Sequence, residues 1–271
     1  MSLPKLQAIG VTAGYGAADV LRDITLEIAP GAVTAIVGAN ACGKSTLLRC
    51  LARLLTPQAG RVELDGTPVQ KIAAKPFARR LGFLPQNPIA PEGITVLDLV
   101  SRGRHPHQGL FSRWSAADDA AVAHALDVTG TAEFAERDVS ALSGGQRQRV
   151  WIAMALAQET EILLLDEPTT FLDVSHQIEV LELLSDLNRQ RGTTVVMVLH
   201  ELNLAARHAD HVVGMREGRI HASGSPEEVL TEANIRAIFA LESLVMPDPV
   251  SGRPMMVPKR ALATERRRGT P

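Results

Sequence analysis

The feature that most constrains this chain is a glycine-rich loop between an apolar run and a segment with helical periodicity. Residues 38–45 read Gly-Ala-Asn-Ala-Cys-Gly-Lys-Ser, a pattern typical of loops that bind phosphate groups. Such a loop surrounds phosphates with bare N–H groups and a helix N-terminus, while its lysine supplies a charge and its serine hydroxyl a ligand for Mg²⁺. Ala32–Val37 before it predicts a strand, and the leucines of Ser45–Leu55 predict a helix. An ordinary glycine-rich turn is the alternative.

Length and composition exclude several classes of protein. With 271 residues, 45% of them hydrophobic, the chain has room for one large or two small domains without disulfide support. A net charge of −2 gives no sign of nucleic-acid binding. The longest apolar run, Val150–Ala157, is far shorter than a bilayer requires. Met1–Val11 lacks the pattern of a secretory signal, and Cys42 and Cys50 are the only cysteines. We therefore expect a soluble intracellular protein.

Two kinds of strand are predicted. Alternation of apolar and polar residues indicates strands with one buried face in Lys5–Thr12, Leu21–Ile28 and Arg61–Asp65. Ile162–Leu165 and Thr193–Leu199 are apolar without alternation, which is typical of parallel strands covered by helices on both faces. The chain is therefore expected to contain an α/β core.

The remaining segments favour helices. Apolar periodicity predicts a helix over Ser175–Gln190 and another over Glu227–Phe239. Residues 87–139 are rich in alanine and are interpreted as a mostly helical insertion. The C-terminal tail contains Pro247, Pro249, Pro254 and Pro258 and then the basic run Arg266–Arg268.

A pair of acids follows the apolar run Ile162–Leu165. Asp166 and Glu167 would lie at the carboxyl edge of a buried strand, where ligands bind in open α/β sheets. Asp166 is predicted to hold Mg²⁺ through water, and Glu167 to orient and deprotonate an attacking water. The alternative is a strand that simply ends in exposed acids before a turn at Pro168.

A second glycine motif lies between the loop and the acids. Residues 142–146 read Leu-Ser-Gly-Gly-Gln and precede an apolar helix. They offer either a second anion site at a helix N-terminus or only a helix cap. In order and spacing, the three motifs resemble those of the nucleotide-binding subunits of ABC transporters, and the resemblance extends over roughly Leu6–Met246.

The resemblance implies a particular fold. It is an α/β architecture, with a P-loop NTPase core, an N-terminal antiparallel β subdomain and an inserted α-helical subdomain. The ABC ATPase domain would cover residues 1–246, with the helical subdomain at about 87–153, and residues 247–271 would form a C-terminal extension.

The resemblance also implies an ATPase whose cofactors are ATP and Mg²⁺. Catalysis would depend on Glu167, on Gln86, which senses Mg²⁺ and the γ-phosphate, and on His200, which contacts the γ-phosphate. The metal ligands would be Ser45, Gln86 and Asp166. The residues implied in ATP binding are Tyr15, which would stack on adenine, Gly38, Ala39, Asn40, Ala41, Cys42, Gly43, Lys44, Ser45, Thr46, Ser143, Gly144, Gly145, Gln146 and Asp173.

Three positions depart from the family pattern. Ala41 stands where the family usually has glycine, and Ala39 where it often has proline. If position 41 requires a positive φ, alanine costs on the order of 1–2 kcal/mol there. Phe171, close to Asp173, replaces a smaller residue. Asp173 itself matches a loop that communicates across the dimer.

The implied partners follow from a single copy of each motif. The signature of one subunit completes the nucleotide site of the other, so the resemblance implies a head-to-tail homodimer with two composite sites. It also implies integral-membrane permease subunits, an indirect link to a substrate-binding protein, no nucleic-acid partner, and a peripheral position on the cytoplasmic face of the cell membrane.

The cargo is indicated only by lineage. The tracts 102–107, 200–210 and 247–254 resemble those of importers for iron chelates and cobalamin. Ferric siderophore import is the interpretation. Cobalamin or haem import is an alternative, as is a non-transport ABC ATPase in DNA repair or translation. Arg102 and Arg104 are expected on an exposed surface against which a permease helix docks.

Overall fold

The computed structural model describes residues 3–16, 18–109, 114–170 and 172–262. Phe171 and the basic run Arg266–Arg268, both noted from the sequence, lie outside the described residues.

The described residues form strands and helices along most of their length. The strands are β1 (Leu6–Tyr15), β2 (Ala18–Glu27), β3 (Val33–Gly38), β4 (Ala59–Leu64), β5 (Thr67–Pro68), β6 (Leu81–Leu84), β7 (Ile162–Asp166), β8 (Thr194–Val198), β9 (His211–Arg216), β10 (Arg219–Gly224), β11 (Leu241–Pro247) and β12 (Pro254–Ala261). The α-helices are α1 (Lys44–Leu51), α2 (Ala74–Ala78), α3 (Val96–Ser101), α4 (Ala116–Val128), α5 (Gly144–Ala157), α6 (Val174–Arg191), α7 (Leu202–His208), α8 (Pro226–Val229) and α9 (Glu232–Phe239). Short 3₁₀ helices cover Val69–Lys71, Arg102–His107, Ala132–Phe134 and Val139–Ala141.

A six-stranded sheet in the order β10-β9-β3-β8-β7-β6 forms the core. Its strands are parallel except β10, which pairs with β9 antiparallel. Every residue of β3, β7 and β8 is buried, as the unbroken apolar runs predicted. Because these strands are parallel neighbours, Gly38, Asp166 and the residues after Val198 lie at one edge of the sheet.

The N-terminal strands form the predicted antiparallel subdomain. Its order is β2-β1-β4-β5, and its buried side chains, among them Leu6, Leu21 and Ile24, share one core cluster with Leu47 and Leu48 of α1. The helix that follows the glycine-rich loop is thus packed between the two sheets.

The predicted insertion is mostly helical over the residues that the structure describes. Helices α3, α4 and α5 contact one another and contribute to a core cluster that includes Leu99, Val122 and Ile152.

The expectation of an exposed Arg104 is wrong. Arg104 is 5% exposed, and its guanidinium donates to Asp118 at 2.9 Å, to the carbonyl of Ala157 at 2.8 Å and to Glu159 at 2.9 Å. A buried guanidinium must be paired in this way, and Arg104 thereby joins the 3₁₀ helix 102–107 to α4 and to the end of α5. Arg102 is exposed, as expected.

The C-terminal region differs from its sequence prediction in two respects. The single helix predicted over Glu227–Phe239 is wrong, because the chain leaves helical conformation at Leu230 and Thr231 caps α9 by accepting from Asn234 N. Strands β11 and β12 form a hairpin that was not predicted. The hairpin spans the boundary expected between the ATPase domain, residues 1–246, and the C-terminal extension, residues 247–271. No helix within residues 3–262, leaving aside the undescribed gaps, is long and apolar enough to cross a membrane.

Candidate active site

A cleft of about 500 Å³ lies at the carboxyl edge of the parallel sheet. The glycine-rich loop between β3 and α1 forms one wall, and Gln86, Glu167 and His200 approach from three other segments of the chain. The lining residues are Tyr15, Val20, Asn40, Ala41, Cys42, Gly43, Lys44, Ser45, Thr46, Gln86, Glu167 and His200. Side chains from positions 15 to 200 thus converge on a single concave surface.

The loop conformation explains both of its glycines. Gly43, at the start of α1, has φ 106°, and a Cβ there would lie 2.8 Å from the Leu21 side chain. A Cβ on Gly38 would lie 2.4 Å from the carbonyl oxygen of Met215 on β9. Ala41 has φ 60°, so its backbone is in the left-handed region, where an alanine costs about 1–2 kcal/mol.

Lys44 is a buried cation inside the loop. Its Nζ donates to the carbonyl oxygens of Gly38 at 2.9 Å and Ala39 at 3.0 Å, and the residue is 5% exposed. Carbonyl oxygens solvate the ammonium but do not neutralise it, so an anion in the cleft is electrostatically favoured.

Ser45 and Asp166 meet at the base of the cleft. Ser45 Oγ donates to Asp166 Oδ1 at 2.8 Å. Asp166 Oδ2 is buried and has no hydrogen-bond partner among the described residues, and burial raises the pKa of this carboxyl. A buried carboxylate oxygen without a donor, next to a hydroxyl, suits a hard divalent cation such as Mg²⁺, which takes few protein ligands and completes its shell with water and phosphate.

Glu167 is held by three side chains. Its Oε2 accepts from Gln86 Nε2 at 2.6 Å and from Thr170 Oγ1 at 3.0 Å, and its Oε1 lies 2.6 Å from His200 Nε2. A carboxylate only accepts, so His200 Nε2 is the protonated nitrogen in this contact. Glu167 has φ 56°, a strained backbone that turns the side chain from the strand end into the cleft.

Two contributors to this cleft were missed by the sequence analysis. Thr170 donates to Glu167, and Arg49 Nη1 donates to the hydroxyl of the half-exposed Tyr15 at 2.7 Å. Neither belongs to a motif that identifies it. Thr170 follows the acid pair closely and was readable as part of the same turn, whereas the partners Arg49 and Tyr15 are 34 residues apart.

The second glycine motif lies outside this cleft. Ser143 caps α5 by accepting from Gln146 N at 3.3 Å, and Gln146 Oε1 accepts from Ser143 N at 3.1 Å. Ser143 and Gly144 are exposed. Gly145 instead faces Leu172 and His176, next to Asp173 at the N-terminus of α6. The structure therefore brings the predicted site residues together in two groups, the cleft and an exposed group of Ser143–Gln146 with Asp173.

Comparison with known proteins gives consistent matches. The family model described as ABC transporter matches residues 21–170. The ferric enterobactin transport ATP-binding protein FepC of Escherichia coli is 53% identical over 95% of both chains. The petrobactin import ATP-binding protein FpuD of Bacillus anthracis is 52% identical over 93% of both. The cobalamin import ATP-binding protein BtuD of Halobacterium salinarum is 42% identical over 93% of this chain and 63% of its own.

Solved structures match over most of the chain. An ABC transporter described as of the metal-chelate type, in an inward-facing conformation, has a TM-score of 0.82 at 31% identity and covers 96% of this chain and 98% of its own. The dimeric structure of the bacterial ABC transporter cassette MJ0796 has a TM-score of 0.73 at 28% identity and covers 81% and 98%.

Proposed function

The chain belongs to the ABC transporter family and is an ATP-hydrolysing subunit, and we propose that it energises the import of ferric siderophores. The observation that supports its role in ATP hydrolysis is that Lys44, Ser45, Asp166 and Glu167 converge at one cleft at the carboxyl edge of the sheet.

Within the cleft, the residues divide the work of ATP hydrolysis. The loop N–H groups and Lys44 bind the β- and γ-phosphates, while Tyr15 stacks on the adenine. Ser45, Asp166 and the amide oxygen of Gln86 would hold Mg²⁺, which supplies charge neutralisation at the phosphates. Asp166 Oδ2, which is buried and has no donor among the residues that the structure describes, supports this assignment.

Glu167 acts as the base for the attacking water. It takes a proton from the water as the water oxygen bonds to the γ-phosphorus and the bond to the ADP oxygen breaks. The three donors around Glu167 hold its carboxylate in place. His200, which contacts Glu167 through Nε2, also contacts the γ-phosphate.

Each cleft is completed by a second copy of the chain. Ser143–Gln146 are turned away from the cleft of their own subunit, with Ser143 and Gly144 exposed, and offer N–H groups at the start of α5. In a head-to-tail homodimer these groups meet the γ-phosphate bound by the partner. The match to a dimeric cassette supports this arrangement.

ATP hydrolysis drives transport only when the chain is assembled with its membrane partners. The chain assembles with integral permease subunits on the cytoplasmic face of the membrane, where closure of the dimer is coupled to the permease. A substrate-binding protein delivers cargo from the opposite face and does not contact this chain.

The cargo assignment rests on relatives. FepC and FpuD, named for ferric enterobactin and petrobactin, are 53% and 52% identical to this chain, against 42% for the cobalamin relative. Cobalamin import is therefore the second candidate.

Uptake in cells separates these cargoes. A strain lacking this chain is supplied with wild type or Glu167→Gln and given radiolabelled iron as a siderophore complex, or radiolabelled cobalamin. We expect wild type alone to restore iron uptake, with cobalamin uptake unaffected by the deletion. Loss of cobalamin uptake with normal siderophore uptake would transfer the assignment to cobalamin.

A further inference from the structure

Next to the exposed group formed by Ser143–Gln146 and Asp173 lies a histidine that no sequence motif identified. His176 lies in the first turn of α6. Its Nδ1 lies 2.7 Å from Asp173 Oδ1, and the same oxygen accepts from His176 N at 3.0 Å and Ser175 Oγ at 2.8 Å. Three hydrogen bonds lower the pKa of Asp173 to about 2. The bond from the His176 backbone has the largest effect, and those from the Ser175 hydroxyl and the His176 imidazole have smaller ones. Asp173 is therefore a carboxylate that only accepts, and Nδ1 is the protonated ring nitrogen.

The same imidazole lies near the second glycine motif. A Cβ built at Gly145 would lie 3.8 Å from both Cγ and Cδ2 of His176, so the ring borders the side-chain position of this glycine. The ring therefore has two neighbours, Asp173, at the end of one segment, and Gly145, in the first turn of α5.

The segment that ends at Asp173 is also tied to the catalytic cleft. Gln177, next along α6, donates to the carbonyl oxygens of Thr169 at 3.4 Å and Leu172 at 3.1 Å. Thr170 in this segment donates to Glu167. One end of the segment thus contacts the catalytic carboxylate of its own subunit, and the other end is hydrogen-bonded to His176, which lies near the motif offered to the partner.

We propose that His176 is a positioning residue that fixes Asp173 and Gly145 relative to each other, so that both reach the partner's nucleotide in a single closing movement. This inference rests on the proposed head-to-tail dimer. It goes beyond that dimer in assigning a role to a side chain outside the cleft. His176 touches neither ATP nor the reacting atoms, so it acts through the pre-organised geometry of the groups on either side of it.

Two substitutions separate the hydrogen bond from the ring. His176→Asn keeps an N–H donor near the position of Nδ1, whereas His176→Phe keeps a ring against Gly145 but removes the donor. His124→Phe is the matched control, because His124 is exposed on α4 and belongs to neither motif. Purified full-length chains are compared for ATP affinity, for steady-state kcat and KM, and for ATP-dependent dimerisation in a Glu167→Gln background.

We expect His176→Phe to lower kcat about tenfold and to weaken dimerisation similarly, with ATP affinity of the isolated subunit within about twofold of wild type. His176→Asn should restore both to within about threefold of wild type, and His124→Phe should match wild type. Unchanged kcat and dimerisation in His176→Phe would overturn the proposal, as would an equal loss in His176→Asn or a parallel loss of ATP affinity.

The dimer itself is tested by the same measurements. If wild type fails to hydrolyse ATP, or Glu167→Gln alone fails to dimerise with ATP, the proposed function falls and the role of His176 falls with it. A normal wild type beside an unaffected His176→Phe overturns only the role of His176.

Discussion

Glu167 is a single side chain held by contacts from three other side chains. The residue is 9% exposed, and its carboxylate accepts from Gln86, Thr170 and His200, which compensates the desolvation of a buried charge. The adjacent Asp166 has a buried oxygen that accepts from no donor in the described part of the chain. The two neighbouring acids therefore differ in their surroundings, since three donors orient Glu167 whereas one oxygen of Asp166 has none, which fits the different roles proposed for them.

Replacing Glu167 with glutamine tests the role of the base. Glu167→Gln keeps the shape of the side chain but removes its basicity, so we expect hydrolysis to fall about 10²–10⁴-fold while ATP still binds. The variant should accumulate as an ATP-bound dimer, measured by size-exclusion chromatography with bound nucleotide quantified. Hydrolysis at the wild-type rate would show that Glu167 is not the base.

The strained loop residue makes a second prediction. Ala41 has φ 60°, so Ala41→Gly removes a conformational cost of about 1–2 kcal/mol. Part of this gain is offset by the greater entropy of glycine in the unfolded chain. We expect a higher free energy of unfolding in urea, tighter ATP binding, or both.

A substitution elsewhere controls for the entropy of glycine. Ala123, exposed on α4 in helical conformation, should lose stability as Ala123→Gly by about 1 kcal/mol. If Ala41→Gly is also destabilising and its ATP affinity is unchanged, the loop is not strained by alanine.

At the scale of elements, sequence patterns predicted the strands and helices that depend on residues adjacent in the chain. The strand β7 and its acid pair, and the order strand, loop, helix around Lys44, follow from runs of residues that are adjacent in the chain. The hairpin β11–β12 was missed because prolines usually argue against strands. Here Pro247 and Pro254 face each other at one end of a two-stranded sheet, where both strands have a free edge and a missing N–H is tolerated.

Local sequence patterns could not predict the burial of a residue whose partners lie far away in the chain. Arg104 lies in a polar tract that looks solvated, yet its partners Asp118 and Glu159 are 14 and 55 residues away in the chain. Likewise, Gln86 and His200 were identified as site residues from family resemblance and not from any periodicity, and their contacts with Glu167 were not predicted.

The two arginines of this tract now differ in their predicted effects. Arg104→Met would leave Asp118 buried without its partner, and breaking a buried pair typically costs about 3–5 kcal/mol. Arg102→Met, on the exposed side of the same 3₁₀ helix, should change stability by less than about 0.5 kcal/mol. Urea unfolding followed by circular dichroism measures both, and equal effects would show that the Arg104 pair does not stabilise the subdomain.

The pair also gives a pH dependence with a definite sign. The hydrogen bond from Arg104 holds the pKa of Asp118 below its ordinary value, so ionised Asp118 favours the folded state. This contribution is present above the ordinary pKa of 3.8 and is lost as the pH falls through the lowered value. Wild type should therefore lose more stability on acidification than Arg104→Met.

At the scale of the whole molecule, the proposed head-to-tail dimer makes different predictions for the two groups of site residues. Lys44 is buried in the cleft and Ser143 is exposed outside it. Lys44→Ala should therefore abolish ATP binding, whereas Ser143→Arg should leave ATP binding by the isolated subunit intact and block closure of the dimer. Nucleotide titration and ATP-dependent dimerisation distinguish the two, and identical phenotypes would count against composite sites.

Mixing inactive variants tests the head-to-tail geometry directly. In a dimer of one Lys44→Ala and one Ser143→Arg subunit, both lesions fall in the same composite site and the other site is intact. Random pairing makes half of the dimers mixed, so the mixture should recover about a quarter of wild-type hydrolysis if the sites work independently. Lys44→Ala mixed with Glu167→Gln is the control, because these residues share one cleft and their lesions then inactivate both sites. Recovery in the first mixture alone is expected. Recovery in neither mixture would contradict independent composite sites, and recovery in both would place Lys44 and Glu167 in different sites.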